Sequence, residues 1–261
     1  MTLLCFLAAT EYDPRVSSLD RQKAIDRIAA DVPPAFGKRL VCLAAYGSGV
    51  TEAFIPGTSD LNVAIVLDRV GLDDLKILQR WLPAWRKLGV ATPLLVDVEY
   101  LERACDVFPI ELGDIRAAHR LLAGDDVFAT LHIHAADLRR QLEQEARAKL
   151  LRLRVAYAEA AGAAEVEALM HASVKSFLVI MRGVVRLQTG AAPEGLLALI
   201  EKFEELNGAD LAGMRSATRV RLGHEKWSGA TDAAFAAYLA DAERLVAVVD
   251  RLYADGAPGR S

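Results

Sequence analysis

The first residues that could do chemistry are Gly47, Ser48 and Gly49, which follow the apolar run Val41–Tyr46. Six apolar residues that reach a Gly-Ser-Gly sequence predict a buried strand, a tight turn and then a short helix. The backbone N–H groups exposed at such a turn can bind phosphate oxygens. The sequence therefore predicts a phosphate-binding turn at Gly47 and Ser48.

Two side chains that offer oxygen ligands follow this turn after a predicted loop over residues 54–59. Asp60 and Asn62 open a second apolar segment, which reads as another strand. Because side chains alternate along a strand, Asp60 and Asn62 lie on one side while Leu61 and Val63 point into the core. We therefore expect a pair of oxygen ligands next to the phosphate-binding turn.

This order of an apolar strand, Gly47-Ser48, a short loop and Asp60-Leu61 resembles the nucleotidyltransferase superfamily, which includes antibiotic nucleotidyltransferases and beta-type DNA polymerases. The resemblance implies an α+β fold, with an N-terminal mixed-sheet domain followed by an all-α helical bundle. It also implies a nucleoside triphosphate substrate, magnesium, and transfer of a nucleoside monophosphate to a hydroxyl of a small-molecule acceptor. Gly47 and Ser48 would then bind phosphate, and Asp60 and Asn62 would be the metal ligands and catalytic residues.

Asn62 departs from the family pattern, which has Asp or Glu at this position. An Asn carbonyl oxygen can contact a metal ion but brings no negative charge, and magnesium sites depend on carboxylates. Two interpretations follow from Asn62. The chain is either a transferase with a weakened metal site, or a catalytically inactive relative that binds a nucleotide or another molecule with the same cleft.

A third catalytic carboxylate in active members of the superfamily comes from a later strand, and Asp97 and Glu99 are the candidates here. Asp97 stands where the apolar strand ends and a helical segment begins. Asp is also a common N-cap of helices, so Asp97 is either a catalytic residue or a helix cap. The capping interpretation is the stronger of the two.

Basic side chains recur on one face of a predicted helix over residues 166–187. Lys175 and Arg182 lie seven residues apart, with His171 and Arg186 on the same face. Lys175 and Arg182 are candidate phosphate-binding residues if this face borders the nucleotide. The alternative is an ordinary solvated or salt-bridged helix face.

Arg219 and His224 resemble the Arg-x4-His motif of helical RNA-cleaving domains, which often accompany small nucleotidyltransferases in toxin–antitoxin pairs. The motif is short, and a pairing of this kind is expected by chance in an Arg-rich chain. A nuclease pair at Arg219 and His224 is therefore the third functional hypothesis.

The pattern of apolar residues divides the chain into two parts. Strands alternate with helices over residues 1–134, which predicts a mixed α/β domain. From residue 135 to 261 the apolar residues recur at helical spacing, which predicts a bundle of long helices with short connections. Apolar faces of such a bundle could pair two copies into a homodimer.

Composition narrows the class of protein. The net charge of −4 and the absence of a basic excess in either half disfavour binding to DNA. Residues 1–10 are apolar but lack a basic lead-in, so we expect a short buried segment or an upstream start and not a signal peptide. Three scattered cysteines, Cys5, Cys42 and Cys105, fit structural thiols of a reducing compartment. We expect a cytoplasmic protein without a membrane span.

Overall fold

The computed structural model describes residues 18–51 and 60–254. The chain divides into two compact units, Met1–His134 and Ala135–Ser261. The predicted buried segment over residues 1–10, Cys5 and the predicted loop over residues 54–59 lie outside the described residues.

The first unit is built on a four-stranded mixed sheet with the order β3-β2-β1-β4. Its central strand β1 pairs antiparallel with β2 and β4, whereas β2 pairs parallel with β3. The strands are β1 (Leu40–Tyr46), β2 (Asn62–Leu67), β3 (Leu94–Asp97) and β4 (His119–Gly124).

Helices cover both faces of this sheet. Alternate side chains of β1 enter two separate cores: Leu43 and Ala45 on one face, and Cys42, Ala44 and Tyr46 on the other. The first core contains residues of α1 (Ser18–Phe36) and α2 (Leu72–Arg86), and the second contains residues of α3 (Val98–Arg103) and α4 (Pro109–Ala117).

Cys42 and Cys105 belong to the second of these cores and are buried free thiols. Burial raises the pKa of Cys42 to about 11, so its thiol stays protonated and unreactive near neutral pH. Both side chains therefore serve packing.

The end of α1 differs from the sequence-based expectation. Pro33 and Pro34 predict that the helix stops near Ala30, but the helix continues to Phe36 with both prolines inside it. Proline fixes φ near a helical value, but inside a helix it removes an N–H donor and its ring crowds the carbonyl of residue i−4. Val32 and Phe36 are buried against the sheet, and this burial offsets the lost hydrogen bonds.

The sequence does not predict strand β4, because Leu121 and Leu122 form only a short apolar stretch. Leu121 is 40% exposed, so the segment lacks the clear alternation of a half-buried strand. Its strand conformation comes from pairing with β1, which continues as far as Cys42 and Gly124. This pairing is a tertiary contact, and the local sequence does not encode it.

Over residues 135–254 the second unit is all helical, as predicted. Its helices are α5 (Ala135–Glu159), α6 (Ala163–Thr189), α7 (Leu196–Asn207), α8 (Ala212–Arg221) and α9 (Thr231–Ala254). A mixed sheet with flanking helices, followed by a helical unit, confirms the predicted α+β fold class.

Helix α6 supplies much of the core of the second unit, with ten buried residues that include Met170, Phe177 and Met181. By length and composition α6 could cross a membrane, but 50% of its most apolar stretch is buried inside the structure. A central bundle helix has the same composition, so the apolar character of α6 is explained by packing.

Candidate functional site

The predicted phosphate-binding turn lies directly after β1, where Gly47–Val50 form a short 3₁₀ helix. Gly47 has a φ of +72°, a conformation that favours glycine, and it redirects the chain out of the sheet. The Gly47 N–H donates to the Ala118 carbonyl oxygen at 3.0 Å, which ties the turn to the connection between α4 and β4. The Gly47 N–H is thus committed to the fold and is not available to a phosphate oxygen.

Asn62 and Asp60 lie against this turn. Tyr46, the last residue of β1, pairs directly with Asn62, the first residue of β2. A Cβ atom on Gly47 would lie 3.4 Å from Asn62 Nδ2, and one on Gly49 would lie 3.3 Å from the Asp60 carbonyl oxygen. The structure therefore brings Gly47, Ser48, Asp60 and Asn62 together, as the sequence predicts.

The predicted alternation at the start of β2 is also present. Leu61 and Val63 are buried at 2% and 1% exposure, whereas Asp60 and Asn62 are half-buried. Within the described part of the chain, the side chains of Ser48 and Asn62 make no hydrogen bond. Ser48 and Asn62 can thus offer a hydroxyl and an amide to a ligand without breaking an existing bond.

Tyr46 adds a neutral group beneath these residues. It is 8% exposed, and burial raises its pKa to about 12. Its phenol remains uncharged at neutral pH, so the charge near the turn is set by other side chains.

Asp97, the candidate third carboxylate, lies elsewhere in the sheet. It pairs with Leu67, the last residue of β2, while Asn62 is the first residue of that strand. Five residue steps of a strand span about 17 Å, so Asp97 is not brought together with Asp60 and Asn62. Its carboxylate accepts the Tyr100 N–H at 2.8 Å and caps α3, which confirms the capping interpretation.

The chain next to Asn62 in the adjacent strand provides no substitute acid. Leu61 forms a parallel bridge with Val90, so residues 90–93 lie beside the start of β2. Their sequence is Val-Ala-Thr-Pro, without a carboxylate. Among the described residues, no group of three or more His, Cys, Asp or Glu side chains could hold a metal ion.

These donors do not fit a two-ion magnesium centre. Such centres bridge two ions with several carboxylates, whereas among the described residues at this position Asp60 is the one acid and Asn62 supplies an uncharged amide. Asp60 can still contribute oxygen ligands, but the described residues beside it supply no second negative charge to offset two divalent ions.

Arg21 is a residue near the turn that the sequence reasoning did not identify. Its Nη1 donates to the Gly49 carbonyl oxygen at 3.4 Å, which places a guanidinium from α1 beside the Gly-Ser-Gly turn. Arg21 precedes Ser48 by 27 residues and belongs to no motif. Only the packing of α1 against the sheet reveals its position.

Comparisons with known proteins address the fold. No protein-family model matches the chain, and no curated protein matches it significantly. Solved structures do match, including the crystal structure of spectinomycin adenyltransferase AAD(9) from Enterococcus faecialis with ATP and spectinomycin. That match has a TM-score of 0.56 at 13% sequence identity, and it covers 90% of this chain and 100% of that chain.

The chain has a nucleotidyltransferase-like fold. This confirms the resemblance that Gly47-Ser48 and Asp60-Leu61 suggested. At 13% identity the match establishes the fold and leaves activity and substrate to be argued from the residues.

The other candidate residues belong to the second unit. On α6, Lys175 is exposed and Arg182 is half-buried. Their assignment as phosphate-binding residues stays a prediction. His171 on the same helix has a pKa lowered by burial and by the nearby Arg221 guanidinium, so it is neutral at physiological pH.

The Arg219 and His224 side chains do not form a pair with each other. Arg219 Nη1 lies 3.1 Å from Glu225 Oε1 in an ion pair, and the bond between Arg219 and His224 joins backbone atoms. A carboxylate on the arginine neutralises the charge that a nuclease pair would direct at an RNA phosphate. Nothing in the geometry favours the nuclease hypothesis.

Proposed function

We propose that this protein binds a nucleoside triphosphate at the end of β1, with the phosphates against Ser48 and beside Asp60 and Asn62. One observation carries the proposal. The Gly-Ser-Gly turn and the opening residues of β2 lie side by side in a nucleotidyltransferase-like fold, with the Ser48 and Asn62 side chains making no other described hydrogen bond. Hydroxyl and amide donors of this kind suit phosphate oxygens.

We further propose that binding, and not nucleotidyl transfer, is the main activity. Two-ion transfer depends on carboxylates that stabilise charge at the reacting phosphorus atom, and each such electrostatic contribution is worth several kcal/mol. Here position 62 carries an amide. Asp97 ends β3, beside the far end of β2, and caps α3. The remaining residues suit a protein that binds or senses a nucleotide.

Transfer of a nucleoside monophosphate to a small-molecule hydroxyl is the second candidate function. The similarity to an adenyltransferase crystallised with ATP and spectinomycin favours it, because that protein shares the fold over nearly the whole chain. Asp60 would then be the acid that holds magnesium.

Calorimetric titration with ATP, GTP, CTP and UTP tests the binding proposal. We expect at least one to bind, and Ser48→Ala to weaken binding about tenfold or more, because a hydrogen bond to a charged phosphate is lost. Ser216→Ala, a half-buried serine of α8, is the matched control and should bind as the wild type does. If Ser48→Ala and Ser216→Ala bind the nucleotide equally well, the assignment of Ser48 to the binding site is contradicted.

Release of pyrophosphate separates the two candidate functions. With magnesium, ATP and a panel of aminoglycoside and aminocyclitol acceptors, the wild type should release none above the rate without protein. Acceptor-dependent release that is lost in Asp60→Asn would instead establish transfer as the function.

A further inference from the structure

We infer that His119 is a positioning residue of the phosphate-binding turn, because it fixes the Ala118 carbonyl oxygen to which Gly47 is bonded. This inference rests on the proposed function and specifies what holds Ser48 in place before a nucleotide binds. His119 belongs to none of the sequence motifs, and its role follows from contacts with three other segments of the first unit.

The bond between Gly47 and Ala118 links the turn to the end of α4. The Gly47 N–H donates to the Ala118 carbonyl oxygen at 3.0 Å, and the Ala118 N–H donates to the Asp114 carbonyl oxygen at 3.0 Å. Ala118 thus lies between a helix end and the turn. Since Ser48 directly follows Gly47, a shift of the Ala118 peptide moves the Ser48 hydroxyl with respect to Asn62.

His119 fixes the position of this peptide. It is the first residue of β4 and pairs directly with Tyr46 of β1. Its Nδ1–H donates to the Ile115 carbonyl oxygen in the last turn of α4 at 2.9 Å, and its Nε2 atom lies 2.9 Å from Asp126 Oδ1. The side chain is only 10% exposed. The imidazole ring therefore joins the end of α4 to the segment that follows β4, and it restrains the Ala118 peptide between them.

The segment that holds His119 from the other side is itself fixed. Asp126 Oδ1 also accepts the Ala129 N–H at 3.0 Å, which one carboxylate oxygen can do besides bonding to the imidazole. The ring of Phe128, which is fully buried, lies beside the imidazole with their centroids 5.8 Å apart. His119 is thus held by a hydrogen-bonded turn that is anchored in the core.

The place of His119 in the sheet makes these contacts matter. Tyr46, the last residue of β1, pairs with His119 on one side and with Asn62, the first residue of β2, on the other. The three residues form a row across the end of the sheet, next to the turn. Strand ends open more readily than strand interiors. The side-chain bonds of His119 therefore decide how firmly this end of the sheet holds the turn.

Two measurements on full-length proteins test the inference. They are calorimetric titration with ATP, and hydrogen–deuterium exchange without ATP of the peptide that contains Gly47–Val50. His119→Ala should weaken ATP binding about tenfold and speed exchange of this peptide, because the bond from Gly47 to Ala118 opens more often. Asp97→Ala, which removes a helix cap from the same unit, is the matched control and should change neither quantity.

Substitutions of Asp126 test whether the bond to His119 carries the effect. Asp126→Ala should weaken ATP binding and speed exchange as His119→Ala does, whereas Asp126→Asn keeps an amide that can bond to His119 and to the Ala129 N–H and should restore both. The double variant His119→Ala/Asp126→Ala should bind no more weakly than His119→Ala, because both changes break one interaction. Far-ultraviolet circular dichroism checks that each variant is folded.

Three results would overturn the inference, and they have different meanings. Wild-type affinity and exchange in His119→Ala would show that the turn is held without this side chain, while the proposed function survives. Equal losses in His119→Ala and Asp97→Ala would show a general loss of stability, and the proposed function again survives. If the wild type binds no nucleotide, the proposed function fails and the role of His119 in binding fails with it.

Discussion

At the scale of single residues, Gly47 carries the tightest backbone requirement of the candidate site. Its φ of +72° turns the chain from β1 into the 3₁₀ helix, and its N–H is bonded to Ala118. A side chain at this position would have to adopt the left-handed conformation, with its Cβ 3.4 Å from the Asn62 amide. Gly47 therefore positions Ser48 without contacting phosphate through its own N–H.

Gly47→Ala tests this role. We expect a loss of about 1–2 kcal/mol in the free energy of unfolding, because L-residues pay that amount in the left-handed region. Gly208→Ala is the reference for the left-handed cost alone, since Gly208 has a φ of +59° and open space where a Cβ atom would lie. Urea unfolding of both variants measures the losses, and no loss in Gly47→Ala beside a loss of about 1–2 kcal/mol in Gly208→Ala would contradict a conformational role for Gly47.

At the scale of elements, the sequence allows Asp97 to be a metal ligand or a helix cap, and the structure shows it as a helix cap. It ends β3 and begins α3, and its carboxylate accepts the N–H of Tyr100. The parallel pairing of β2 and β3 sets its distance from the turn, because Asp97 is opposite Leu67 and not Asn62. The register of the β2–β3 pairing cannot be read from the sequence, and it favours the helix cap over the metal ligand.

Substitution of Asp97 separates a cap from a metal ligand. Asp97→Ala should lower the free energy of unfolding by about 1 kcal/mol, and Asp97→Ser, which can still cap, should recover most of it. Neither change should alter the affinity for ATP, because the residue lies far from Ser48. A loss of ATP affinity in both variants, with unchanged stability, would identify Asp97 as part of the site.

The second unit contains another capping interaction, this time between two helices. Asp241 of α9 is 1% exposed and accepts the Met214 N–H at 2.9 Å near the start of α8. Gly213 allows α8 and α9 to lie this close together, since a Cβ atom at Gly213 would lie 2.6 Å from the Tyr238 backbone nitrogen. The carboxylate thus satisfies a helix N-terminus that would otherwise be buried without a partner.

Burial raises the pKa of Asp241, although Met214 and Arg244 donate to it. A carboxyl with a raised folded-state pKa contributes stability below its unfolded pKa of about 3.9, and this contribution is lost as the pH rises through the folded value. The unfolding free energy of the wild type, minus that of Asp241→Asn, should therefore decrease as the pH rises from about 4 towards neutrality. Urea unfolding of both proteins across this range measures it. An increase with pH would show that hydrogen bonding lowers the pKa more than burial raises it.

At the scale of the whole molecule, the sequence predicts what local periodicity and turn chemistry determine. The strand, the Gly-Ser-Gly turn and the alternation from Asp60 to Val63 follow from residue types within a few positions of one another. The helices of the second unit follow from their apolar spacing in the same way. These features were sufficient to predict the nucleotidyltransferase-like fold.

Features that depend on tertiary contacts were missed. Strand β4 forms because it pairs with β1. Helix α1 continues across Pro33 and Pro34 because Val32 and Phe36 are buried. Arg21 reaches the turn through the packing of that same helix. No local pattern in the sequence carries information about these three positions, since each depends on residues far away in the chain.

Hydrogen–deuterium exchange of the whole protein with and without ATP tests the central claim most directly. Binding at the end of β1 should slow exchange in peptides that contain Gly47–Val50 and Asn62–Leu67, because bound phosphate restrains these segments. Protection confined to helices of the second unit, with no change in these peptides, would contradict the account and direct attention to the bundle instead.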